Sequence, residues 1–125
     1  MKSNYLETQY YVAELHNSIL HVQYKPHLQI TLTDAEAIVA QRLAFFKDLQ
    51  CPVLIKSAKI KSVDKKARSF LFQEGLLNIK AVAFVEGHNM DRILATFLFG
   101  FESPKIPCKM FEDESQALAW LRQYV

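Results

Sequence analysis

Residues 79–85, IKAVAFV, constrain this chain more than any other segment. The run is short, almost wholly apolar and rich in branched side chains. That is the pattern of a strand covered on both faces, not of one that meets water on one side. Such a strand needs a layer of structure above it and below it. On either side of it, apolar residues recur at helical spacing instead of alternating. The implied architecture is a largely parallel sheet with helices packed on it.

Residues 9–15 (QYYVAEL) and 18–24 (SILHVQY) are strand-like runs separated by His16-Asn17, and that gap predicts a hairpin. Pro26 ends the second run, and residues 28–32 form a short extended segment. At Thr33 the period changes. Thr33 with Glu36 reads as a capping box, which satisfies orphan backbone donors and predicts a helix to about Asp48. Pro52 closes the connection, and residues 53–58 (VLIKSA) read as a buried strand. Residues 64–73 read as a second helix, with Gly75 as its stop signal. After the central strand, Gly87-His88-Asn89 turns the chain, and Asn89 caps a third helix to about Phe101. Pro104 and Pro107 bracket a loop into a strand over residues 108–111. Asp113, with Gln116 after it, caps a last helix whose acidic start suits the positive end of the helix dipole. The expected fold class is therefore α/β: a mixed sheet with an N-terminal antiparallel hairpin, then largely parallel strands, flanked by about four helices. No repeat or linker interrupts the 125 residues, so one domain over residues 1–125 is expected.

Composition narrows the function classes. Half the residues are hydrophobic and only 3 are Gly and 4 Pro, which excludes disorder and low-complexity linkers. The net charge of +2 gives no whole-molecule case for nucleic acid. No apolar stretch approaches the ~18 residues of a membrane span. The opening MKSNYLETQYY lacks the apolar core of a signal peptide, so a cytoplasmic chain is expected. Cys51 and Cys108 then read as reduced, buried thiols. His16, His21 and His27 lack metal-ligand spacing, and no metal or cofactor is expected.

A few residues break the local pattern. In the first helix Ile38, Val39, Phe45, Phe46 and Leu49 share one arc at about 100° per residue, yet Arg42 falls within it. Either Arg42 snorkels its head to water past a buried stem, or it has a paired or interfacial role. In the third helix Phe99 points away from the apolar face beside Ala95, which makes it an ordinary exposed Phe or a homodimer or partner contact. The sharpest anomaly lies between Lys56 and Arg68. Six basic residues (Lys56, Lys59, Lys61, Lys65, Lys66, Arg68) accompany one acid, Asp64. Lys65 and Lys66 fall in the first turn of a helix, where the dipole disfavours cations by ~0.3–1 kcal/mol each. Two readings compete: a solvated lysine face, or a site where backbone N–H groups and lysines together hold an anion or an acidic partner. In an open parallel sheet, ligands bind beyond the carboxyl ends of the strands, and Asp64, Lys65, His88 and Asn89 would converge there. Asp64 and His88 would make an acid–base pair, but no nucleophile motif accompanies them, and no enzyme is expected.

The chain resembles the STAS superfamily, the fold of bacterial anti-sigma-factor antagonists, and most closely its stand-alone SpoIIAA-like members. The resemblance rests on ITLTDAEAIV at 30–39, PVLI at 52–55, VDKKARSFL at 63–71, NIKAVAFV at 78–85 and PKIPCKMFEDESQALAWL at 104–121. It implies a mixed sheet flanked by helices and a partner-binding surface at the loop and helix around Asp64. In the antagonists, an Asp there is followed by a phosphorylatable Ser. Here Asp64 is followed by Lys65, and Ser62 and Ser69 fall elsewhere, so the phosphoswitch is not carried over. The expected function is a non-catalytic binding module for an acidic protein partner or small anion. Candidate residues are Lys61, Asp64, Lys65, Lys66, Arg68, His88 and Asn89, with Arg42 and Phe99 as interface candidates. The family's likeness to CRAL-TRIO lipid carriers implies an alternative, a carrier of a small apolar or lipid-like ligand under the third helix.

Overall fold

The computed structural model describes residues 4–56, 60–85 and 105–125. Its strands are β1 (Tyr5–Glu7), β2 (Tyr11–His16), β3 (Ile19–Tyr24), β4 (Gln29–Ile30), β5 (Cys51–Lys56), β6 (Ser62–Val63), β7 (Ile79–Val85) and β8 (Cys108–Phe111). The helices are α1 (Leu32–Phe46), α2 (Lys65–Gln73) and α3 (Glu114–Leu121), with 3₁₀ turns at Glu74–Leu76 and Arg122–Tyr124. Six strands form one sheet in the order β1-β2-β3-β5-β7-β8. Its first three strands are antiparallel neighbours, and β3, β5, β7 and β8 run parallel. The fourth helix expected over residues 89–101 lies outside the described residues.

Alternation along each strand decides which layer it feeds. On one face Tyr11, Ala13, Leu20, Val22 and Val53 pack with Ala35 and Ile38 of α1 and Ala67 of α2. On the other face Ile19, Leu54, Ala81 and Ala83 pack with Ala117 and Leu121 of α3. Leu118, Trp120 and Tyr124 complete that face, so the apolar arc of the last helix is core, as its spacing predicts.

The boundaries differ in ways that local physics explains. The hairpin turn is Asn17-Ser18, one residue later than expected, because both central residues take positive φ (51° and 66°) and Asn tolerates that conformation. His16 stays in the ladder opposite Ile19. The capping box is Thr31 with Asp34, not Thr33 with Glu36, and Leu32 already belongs to α1. The shorter Asp carboxylate reaches back to the Thr31 backbone N–H at 3.0 Å, which starts the helix earlier.

Pro52 lies inside β5 instead of closing the connection before it. The register shift between β5 and β7 falls between Cys51 and Val53, so the residue with no N–H occupies the irregular step of the ladder. The extra residue is in β7: Cys51 faces Ile79, whereas Val53 faces Val82. The bulge therefore lets Ile79 join Val82 and Phe84 in one apolar cluster. Gly75 is not the left-handed stop of α2. The chain passes through the 3₁₀ turn and reverses at Asn78, which has φ 64°. β4 falls within the extended segment expected over residues 28–32. The edge strand β1, and the short strand β6 that pairs with β4 in parallel (Gln29 opposite Ser62, Ile30 opposite Val63), gave no clear pattern in the sequence.

Candidate binding surfaces

The basic segment is built by β6 and the first turn of α2. Lys61 N donates to Leu28 O at 2.8 Å and Asp64 N to Ile30 O at 2.9 Å, which anchors the loop to β4. Asp64 is the N-cap residue in extended conformation, but its side chain makes no capping hydrogen bond. Its carbonyl accepts the first helical bond, from Arg68 N at 2.8 Å. Lys61, Asp64, Lys65 and Lys66 are exposed, Ala67 is buried against the sheet and Arg68 is half-buried. Among the described residues, Lys61, Lys65 and Lys66 make no ion pair.

Lys56, counted in the same charge run, belongs to the other layer. It shares a strand face with Leu54 and forms an ion pair with Glu114 at the start of α3. Lys59, His88, Asn89 and Phe99 lie outside the described residues. The expected convergence of His88 and Asn89 on Asp64, and the Phe99 contact, therefore have no described geometry.

Arg42 points inward. Its Nη2 donates to the carbonyl of Gly75 at 3.2 Å, linking α1 to the turn after α2. This is the paired alternative, and the partner is a backbone oxygen. Arg42 also lines a cavity of about 100 Å³ between the sheet and the α1–α2 layer, otherwise walled by Val22, Val53, Ile55, Val63, Val82, Phe84 and their neighbours.

Two tyrosines face this cavity. The Tyr11 hydroxyl donates to Ile38 O at 3.1 Å, and burial pushes it far above its ordinary range. Tyr24 meets the Tyr11 ring edge-on at 5.9 Å. Burial raises the Tyr24 hydroxyl to about 12, against the pull of the Arg42 guanidinium. Burial also draws the Arg42 guanidinium down, opposed by Tyr11, Tyr24 and Cys51. Cys108, another wall residue, is raised to about 11 by burial, so its thiol stays neutral. The cavity and its tyrosines escaped the sequence reading; the signal that leads to them is the cation on the apolar arc of α1.

On the α3 face His16 and His21 approach edge-on with ring centroids 6.0 Å apart. Among the described residues no group of three His, Cys, Asp or Glu side chains is placed to hold a metal ion. Among the same residues no helix is long and apolar enough to cross a membrane.

A mixed sheet that opens with an antiparallel hairpin, with α1 and α2 on one face and α3 on the other, is the SpoIIAA-like α/β fold. It is shared with the crystal structure of an uncharacterized protein of the DUF3478 family, described as having a SpoIIAA-like fold, from Shewanella loihica PV-4. The two superpose with a TM-score of 0.58 at 21% identity, covering 93% of this chain and 97% of that one. No curated protein matches the sequence. Residues 13–125 match the family model of DUF7793, a domain of unknown function, and the chain belongs to that family.

Proposed function

We propose that this chain is a non-catalytic cytoplasmic binding module that meets an acidic partner protein through Lys61, Lys65 and Lys66. The observation that supports this reading best is the exposure of three lysines around the start of α2 that have no acidic partner among the described residues. Cations there oppose the positive end of the helix dipole, and carboxylates from a partner relieve that opposition. The resemblance to anti-sigma-factor antagonists, which bind partners at the corresponding loop and helix, favours a protein over a free anion. The test is fluorescence anisotropy with a labelled poly-glutamate peptide, with inorganic phosphate as competitor. Saturable, salt-sensitive binding that the triple variant K61E/K65E/K66E loses, and that millimolar phosphate leaves intact, supports the proposal. Equal binding by the triple variant refutes it, and full competition by phosphate points to a small anion instead.

A second reading is a carrier of a small apolar ligand. The cavity of about 100 Å³ on the α1–α2 face, walled mostly by apolar side chains, favours it.

A further inference from the structure

Arg42 lines the cavity without a carboxylate facing it among the described residues. A guanidinium carries five N–H donors in a planar fork. Among the described residues, the one hydrogen bond that Arg42 makes, to Gly75 O, uses a single donor. The tyrosines divide the remaining polar capacity. Tyr11 has its hydroxyl committed to Ile38 O. The Tyr24 hydroxyl makes no hydrogen bond among the described residues. Among the described residues, a mainly apolar chamber thus carries one cation with spare donors and one uncommitted hydroxyl.

We propose that the cavity is a binding site for a short-chain monocarboxylate, its carboxylate held by the Arg42 fork and the Tyr24 hydroxyl and its tail packed among Val22, Val53, Ile55 and Val82. The proposal rests on the second reading above, that the cavity takes a small ligand. A carboxylate matches the planar fork with two parallel hydrogen bonds and brings one negative charge to one positive charge. A phosphate dianion would leave a charge uncompensated against aliphatic walls, which is costly. Size sets the tail. A cavity of about 100 Å³ suits a short tail, of about butyrate length.

The test is titration calorimetry on the full chain with sodium butyrate, its neutral isostere butyramide and benzene as a purely apolar probe. The variants are R42M, R42K and Y24F. The expected result is saturable butyrate binding that weakens about tenfold or more for butyramide and for R42M. R42K falls in between because an ammonium cannot offer the fork. Y24F loses a smaller factor, and inorganic phosphate does not compete. Equal affinity for butyrate and butyramide, or for wild type and R42M, overturns the proposal while benzene binding keeps the carrier reading. No heat from butyrate or benzene overturns both. If R42M does not fold, the comparison of butyrate with butyramide on the wild-type chain decides.

Discussion

The Tyr10 hydroxyl donates a 2.8 Å hydrogen bond to Oδ1 of Asp34, joining the residue before β2 to the first turn of α1 across 24 positions. The other carboxylate oxygen of Asp34 accepts from Thr31 N at 3.0 Å and from Thr31 Oγ1 at 2.9 Å. One carboxylate therefore caps the helix and ties it to the hairpin. The Thr31 backbone N–H, then the Tyr10 and Thr31 hydroxyls, hold it below the ordinary carboxylate value of 3.8.

Breaking this cap has a predictable cost. Thr31→Ala removes the cap side chain and is expected to lower stability by about 1 kcal/mol in urea unfolding. Asp34→Asn weakens the carboxylate bonds and changes the acid limb. A carboxyl group depressed on folding adds stability that is present above pH 3.8 and lost as pH falls through its lower folded value. The gap between wild type and Asp34→Asn is expected to narrow below pH 3.8; a constant gap down to pH 2 would place the effect elsewhere.

Gly75 and Asn78 are expected to trade the roles their residue types suggest. A Cβ on Gly75 would lie 3.5 Å from Leu71 Cβ and 3.7 Å from Val39 Cγ2, ordinary contact distances, and φ there is not positive. Gly75→Ala is therefore expected to be neutral or stabilising by about 0.4–1 kcal/mol. Asn78 has φ 64°, and its amide donates to Lys47 O at 3.3 Å. Asn78→Val forces a β-branched residue into the left-handed region and is expected to cost about 1–2 kcal/mol or more. Thermal unfolding of both variants checks this; a larger loss at Gly75 than at Asn78 contradicts it.

These two sites also show what the sequence could carry. The spacing of Ala117, Leu118, Trp120, Leu121 and Tyr124 fixes a helix face without tertiary information, and IKAVAFV needs two covering layers wherever it lies. The stop after α2 depends instead on which residue takes positive φ, and Gly75 is the residue type that usually does so. The capping box was expected at Thr33 and Glu36, and it lies two residues earlier because Asp34 reaches back to Thr31 and is held there by the hydroxyl of Tyr10. The candidate site was legible as two anomalies, the lysines around Asp64 and Arg42 on an apolar arc. The assignment of Lys56 to the far layer needed strand alternation plus the position of Glu114. The cavity is a property of how β2, β3, β5 and β7 meet α1 and α2, and no local pattern encodes it.

The α3 face is expected to resist enlargement. Ala81, Ala83 and Ala117 are all fully buried and let α3 approach the sheet closely, with Leu54 filling the space between them. Ala117→Leu overfills that contact and is expected to cost about 1–3 kcal/mol. Leu54→Ala empties it and is expected to cost about 2–5 kcal/mol. Urea midpoints measure both, and an unaffected Ala117→Leu would mean that α3 is free to ride away from the sheet.

The two cysteines give a test of the α1–α2 face that needs no substitution. Burial raises the Cys51 thiol, with the Arg42 guanidinium opposing, and raises Cys108 to about 11. The thiolate is the reactive form, so at pH 8 a thiol with that value holds about one-thousandth of its population ionised. Both cysteines are expected to react with a disulfide reagent far more slowly than a free thiol. Cys108, which is half-exposed, should go first, and Cys51, which is buried, only on unfolding. The rate at Cys108 should rise about tenfold per pH unit between 7 and 10, since the thiolate fraction does so below the pKa. A fast phase of one thiol equivalent at neutral pH would mean that the wall of the cavity at Cys108 opens to water. Butyrate would then be expected to slow that phase if the chamber holds it.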